Sequence, residues 1–278
     1  MRHHTDCEIV RLPRSRRLVM DVVRIGRKRN AMRGLLDVDV TRAREMLRAH
    51  RDRFGVKPSL TAFIIWCVAR AIEKDRMVQA FLDWRNRLVI FDDVDVQTTV
   101  EALVDGQVRV VPHVIRSANR IGYRAIHDEL RHAKSRPKSN RRLVRFAGWF
   151  QWLPWFLRRP FYWYVQKRPR LLRRHIGTTI VSSVGMFVGS GGGWAIGTGN
   201  LATFGALLGG IVRKPGVVGD RIEPRDYLAL SVAFNHDVLD GAPATRFTRR
   251  LVELIEKADG LREELDRWAA EADRERPS

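Results

Sequence analysis

Apolar and polar positions alternate along the chain with two different periods. The clearest helical stretch is "SLTAFIIWCVARAIEKD". There Leu60, Phe63, Ile64, Cys67, Val68, Ala71 and Ile72 recur at i, i+3, i+4, i+7 and form one stripe for burial. Before it, "RGLLDVDV" (33–40) reads as a strand. Thr41 then reads as the cap of a helix, "RAREMLRAHRDRFG", that Gly55 ends. After it come two strand-like runs, "RLVIFDDVDVQTTVEAL" and "QVRVVPHVI", parted by the hairpin signal "VDGQ". Tyr123, Ile126, Leu130 and Ala133 mark a further amphipathic helix.

From Ile176 to Val212 the chain carries no charge, which invites a membrane-span reading. The stretch holds 11 of the 21 glycines and many Ser and Thr, too polar and too breakable for a span. Two strands joined by a glycine-rich loop fit it better. The loop matches neither GxGxxG nor GxxxxGK, so no nucleotide role is assigned to it. In "YLALSVAFNHDVLDG" the large Leu228, Leu230, Val232 and Phe234 alternate with small residues, as a strand buried on both faces would. A helix with Phe247, Leu251, Leu254 and Ile255 in register follows, and the charged tail "LREELDRWAAEADRERPS" is expected to be a helix that frays into solvent. Helices and hairpins in this order predict an α+β fold.

Composition narrows the partners. The 278 residues are 45% apolar, ordinary for a soluble globular protein. Cys7 and Cys67 cannot build a disulfide framework or a zinc site, so reduced thiols, a cytoplasmic setting and no metal are expected. The N-terminus lacks an apolar signal segment. A net charge of +20 favours anionic partners such as phosphate-bearing cofactors or lipid, unless it reflects an Arg-rich proteome. The distribution says more: no acidic residue lies between Glu129 and Asp220.

The candidate chemistry sits in "NHDVLDG", Asn235 to Gly241. His236 ends a buried strand, where a rigid scaffold presents side chains to a pocket, and its imidazole can take a proton at neutral pH. From the heptapeptide alone, an ordinary Asp240-Gly241 turn with a satisfied histidine is the better reading.

Its context reverses that order. "LPRSRRLVMDVV", "SLTAFIIWCVARAI…VQAFLD", "VRVVPHVIRSANRIGYRAIHDEL", "GTTIVSSVGMF" and "LALSVAFNHDVLDGAPATRFTRRLVELIE" occur in the order of, and resemble, segments of the catalytic domain of the dihydrolipoamide acyltransferases of 2-oxo acid dehydrogenase complexes. The resemblance implies a two-layer fold with a mixed sheet, like that of chloramphenicol acetyltransferase. It also implies a homotrimer with active sites between subunits. It makes His236 the general base toward a thiol or hydroxyl acceptor, and Ser182, supplied by the neighbouring subunit, the oxyanion donor. Asp240 would hold the loop through Arg14 or Arg16, with Gly241 in support. Coenzyme A thioester, or an acyl carrier, is the implied donor.

Three departures bear on the role. No lipoyl domain is read in these residues, so no covalently bound lipoyl is expected. Asn235 and Asp237 replace the family's usual Asp and Arg. His113 is an extra residue in the Val-Val-Pro strand, which predicts a bulge. The whole of 1–278 reads as one acyltransferase-like domain with an insertion at about 137–175. Ten aromatics lie between Phe146 and Tyr164 in that insertion, flanked by arginines. Its longest uncharged run is too short to span a bilayer, and Pro154 and Pro160 are expected to break a helix. Three readings stay open for residues 141–175: a surface at a membrane interface, a flap packed on the trimer, and a docking site for a macromolecule. Nucleic acid is the least expected partner, since no recognised module is present. The function expected is therefore a stand-alone acyltransferase, with a lipid-like or membrane-associated acceptor made plausible by the insertion. The alternative is a non-catalytic trimeric scaffold docking at a membrane or in a larger complex.

Overall fold

The computed structural model describes residues 10–12, 14–104, 107–135, 149–150, 152–184, 192–197 and 201–274. Helix α1 (Arg14–Gly26) leads into β1 (Ala31–Asp39), α2 (Thr41–Phe54) and α3 (Leu60–Lys74). A short 3-10 turn and the two-residue strands β2 (Phe81–Leu82) and β3 (Leu88–Val89) follow. The hairpin strands β4 (Val96–Val104) and β5 (Gln107–Ile115) precede α4 (Tyr123–Ser135). Next come α5 (Trp155–Gln166), α6 (Pro169–Ile176), β6 (Thr179–Ser183), β7 (Phe204–Val218) and β8 (Arg221–Asn235). Helices α7 (Gly241–Lys257) and α8 (Leu261–Arg274) end the described chain.

Six strands form one sheet in the order β1-β8-β7-β6-β4-β5. The β4–β6 and β6–β7 pairs are parallel and the others antiparallel, so the sheet is mixed and the fold is α+β, as expected. One sheet face packs on the helices. Val181, Phe204, Leu230, Val232 and Phe234 meet residues of α3, α4, α7 and α8 in the core. The stripe expected on α3 widens to near-complete burial, with Ala62 to Ala69, Ala71 and Ile72 all inside. Ser59 caps it by accepting from the Ala62 N–H at 3.2 Å. Burial pushes the thiol of Cys67 well up, which fits an inert core cysteine.

Four local expectations are corrected. Thr41 does not cap α2 with its side chain; it is the first helical residue, and its hydroxyl accepts from the Asp226 N–H at 2.8 Å, tying α2 to β8. The C-terminal tail, as far as Arg274, is a helix packed on the core rather than a frayed end. Leu261, Leu265 and Trp268 are buried, and the buried Glu264 accepts from the Tyr123 N–H at 2.7 Å, capping the start of α4. No bulge occurs at His113, which pairs with Thr98 in unbroken register; its ring meets Glu129 at 3.0 Å. The bulge lies instead in β7 between Leu208 and Ile211. There Gly209 and Gly210 let residues 192–193 cross the open sheet face, for a Cβ on Gly209 would come within 2.2 Å of the Gly193 carbonyl oxygen. That close approach accounts for these glycines without any phosphate.

The fourth correction concerns the insertion. Pro154 sits at the N-terminal boundary of α5, where no N–H is missed, and Pro160 is carried inside the helix at the loss of one backbone bond. Helix α5 is held to α1 by a buried pair, Arg158 Nε to Asp21 Oδ2 at 2.9 Å. Tyr162 also donates to Asp21, at 3.3 Å. One side of α5 is therefore packed, while Trp152, Phe156 and Trp163 on it or just before it stay more than 60% exposed.

Candidate active site

Strand β8 is internal to the sheet, flanked by β1 over residues 227–235 and by β7 over most of its length, so its end is a rigid platform. Asn235 makes the turn there. Its carbonyl accepts from the N–H groups of Val238 and Leu239, both at 3.1 Å, and its side-chain Oδ1 accepts from the Asp237 N–H at 3.2 Å. The turn leaves the His236 backbone N–H bonded to the Asn30 carbonyl at 2.7 Å, with its side chain 50% exposed. The imidazole is thus fixed at its root and open to a ligand at its tip.

Asp240 stands at the N-cap of α7 and faces the ring, with Oδ1 at 3.8 Å from His236 Nδ1. That is beyond hydrogen-bond range, and the carboxylate is itself largely exposed. No bond joins Asp240 to Arg16, which is exposed on α1; the side chain of Arg14 lies outside the described residues. The first-helix region reaches this turn differently. Asn30 Nδ2 donates to Asp237 Oδ1 at 2.8 Å. Burial lowers the pKa of Arg29, and the charge of Asp237 opposes that shift. Asp237, one of the two departures from the family motif, therefore has a basic and an amide neighbour that sequence reading missed. Gly241 opens α7, and a Cβ there would meet nothing within 4 Å in this chain.

Ser182 is placed elsewhere. It lies on β6, buried, and its hydroxyl is paired with that of Thr99 on β4. If Thr99 donates, the proton of Ser182 is left for another acceptor. In the sheet, Ser182 pairs with Leu207 and Leu207 with Ser231. His236 lies five residues beyond Ser231. At about 3.3 Å per residue and about 4.8 Å per strand, Ser182 and His236 are about 19 Å apart in one copy. One chain does not bring them to the same carbonyl.

The start of β6 is locked by a charged cluster. Buried Asp95 accepts from Arg116 at 2.8 Å, from Arg173 at 2.9 Å and from the Ser117 N–H at 2.9 Å. Its carbonyl accepts from the N–H of Thr178 at 2.7 Å. Burial would raise the Asp95 pKa, but the bonds from Arg173, Ser117 and Arg116 outweigh it and hold the carboxyl below its ordinary value. Among the described residues no group of three or more His, Cys, Asp or Glu is placed to hold a metal ion.

The profile of the 2-oxoacid dehydrogenases acyltransferase (catalytic domain) family matches residues 174–262, from the end of α6 through His236 to the start of α8. Over 94% of this chain and 94% of the other, the structure is similar to a dihydrolipoamide acetyltransferase of Azotobacter vinelandii, with a TM-score of 0.67 at 17% identity. The fold is that of a dihydrolipoamide acyltransferase catalytic core. A probable dihydrolipoamide acetyltransferase of Listeria monocytogenes gives a TM-score of 0.65 at 18% identity over 91% and 95% of the two chains. A truncated 2-oxoacid dehydrogenase catalytic core of Thermoplasma acidophilum gives 0.64 at 20% over 91% and 100%. No curated protein sequence matches. The β6, β7 and β8 strands and helix α7, with Ser182 and His236, therefore all lie inside the segment that this profile matches.

Proposed function

We propose that the chain is a stand-alone acyltransferase that moves an acyl group between a coenzyme A or carrier thioester and a thiol or hydroxyl acceptor. The observation that carries this reading is the half-exposed His236, presented at the end of the central strand within the acyltransferase segment. His236, with Asp240 on its Nδ1 side, takes the acceptor proton on Nε2. The acceptor sulfur or oxygen attacks the thioester carbonyl, and Ser182 of a second copy donates to the oxyanion. Collapse expels the CoA sulfur, which recovers the proton from the imidazolium. The Azotobacter relative supports these roles, since a serine, a histidine and an asparagine four residues after it are named in its catalytic mechanism. Here Asp240 stands at that fourth position. The 19 Å gap within one copy favours a homotrimer with shared sites, which in turn favours 1–278 as one unit carrying the 137–175 insertion.

The test is release of free CoA thiol from an acyl-CoA in the presence of a dithiol. Turnover by the purified full chain is expected. No turnover, and no CoA binding at millimolar ligand, would leave the scaffold reading.

A second reading concerns location and rests on the exposed aromatics of α5. Trp152, Phe156 and Trp163 present exposed rings in a stretch of sequence that carries Arg159 and Arg168 and no acidic residue. No helix among the described residues is long and apolar enough to cross a membrane. Such a surface suits the headgroup region of an anionic bilayer. Co-sedimentation with vesicles containing an anionic phospholipid is expected to fall at least tenfold in a Trp152→Ser, Phe156→Ser, Trp163→Ser variant; unchanged co-sedimentation rejects the reading.

A further inference from the structure

An apolar cleft of about 230 Å³ opens on the sheet face turned away from the helices, next to the hollow of His236. Arg29 and Ala31 line both, so the two spaces adjoin. The cleft walls include Leu35, Ile180, Ile196 and Leu207, and residues 192–197 pass over it, anchored by the bond from Trp194 Nε1 to the Leu36 carbonyl at 3.0 Å.

Its polar lining is sparse and of one sign. No carboxylate residue lines it, while two arginines do, the half-buried Arg29 and the exposed Arg33. Neither arginine has a side-chain hydrogen bond or an ion pair within 4 Å among the described residues; Asp237 acts on Arg29 only at longer range. Ser231 is 7% exposed, lines the cleft, and its hydroxyl has no hydrogen-bond partner. Buried polar groups are ordinarily satisfied, so an orphan hydroxyl in a cleft also lined by two uncommitted arginines points to a ligand. Arginine forks match carboxylates, and the apolar walls match a methylene chain.

We infer that this cleft binds the acyl group of the thioester donor, and that this group ends in a carboxylate taken up by Arg29 and Arg33, with the Ser231 hydroxyl on the floor. The inference rests on the acyltransferase reading and deepens it to a substrate class, the dicarboxylic acyl thioesters. Arg33 pairs with Ala233 in the sheet, three residues short of His236, so its row lies about 10 Å from the catalytic turn. That span suits an acyl chain of several carbons rather than an acetyl group.

The experiment compares adipoyl-CoA with hexanoyl-CoA, which match in carbon number and differ in the terminal carboxylate. For the wild-type chain, kcat/KM is expected to favour adipoyl-CoA at least tenfold, and the Arg29→Met, Arg33→Met double variant to bring the ratio to about one. A wild-type preference for hexanoyl-CoA, or a ratio unmoved by the variant, overturns the inference. So does an equal loss on both thioesters, which would assign the guanidiniums to the phosphates of CoA. A binding measurement separates this result from failure of the acyltransferase reading. Adipate is expected to bind the wild-type chain at least tenfold more tightly than hexanoate, and the double variant to lose that difference whether or not any thioester turns over. Equal binding of the two acids by the wild-type chain also overturns the inference.

Discussion

If His236 is the base proposed above, His236→Ala is expected to lower kcat/KM for acyl transfer from a CoA thioester to a dithiol by roughly 10³-fold, within the 10²–10⁴ that general-base catalysis contributes. The side chain is half exposed, while the fold at this point is held by backbone bonds of Asn235 and His236. The variant should therefore keep its secondary structure and assembly. Circular dichroism and sedimentation separate loss of chemistry from loss of fold. Normal turnover would remove His236 as the base. Asp240→Asn should cost less, because the carboxylate lies 3.8 Å from the ring, beyond hydrogen-bond range, and is largely exposed.

Asp95→Asn is the largest expected effect on stability. The carboxylate is buried, receives Arg116, Arg173 and the Ser117 N–H, and joins the starts of β4 and β6 to the end of α6. Breaking a buried pair by removing one partner costs about 3–5 kcal/mol, and partial exposure of both arginines places the expected loss near the lower figure. Because the folded-state pKa of Asp95 is lowered, its contribution is fully present above the unfolded value near 3.9 and fades as pH falls through the folded value. Denaturant unfolding at pH 7 should show a lower midpoint for the variant, and the gap should close as pH is taken below about 4. A gap that stays constant with pH contradicts the assignment.

Much of this architecture could be read along the chain. The α3 period, the Ser59 start, the Gly55 stop and the doubly buried β8 are local patterns, and each matches the structure. What escaped was set by tertiary pairing. Thr41 looks like a cap, but the N–H of Asp226 on a distant strand claims its hydroxyl. The tail looks solvated because its charges outnumber its apolar residues, yet Leu261, Leu265 and Trp268 share one helix face and are buried. The candidates His236, Asp240 and Ser182 come from motif order. Thr99, Asn30 and Arg29 were not, for only strand register and the turn after β8 bring them beside those residues. The arginine link expected for Asp240 is absent within one copy among the described residues, and Arg29 lies instead near Asp237.

The central claim is that one reaction centre takes His236 from one copy and Ser182 from another. Co-refolding inactive His236→Ala chains with Ser182→Ala chains in equal amounts tests it most directly. Randomly mixed oligomers should recover about a quarter of the wild-type rate, the chance that an intact His236 faces an intact Ser182 across a head-to-tail interface. Recovery near that level is the predicted result. Mixed oligomers no more active than either variant alone would contradict the account.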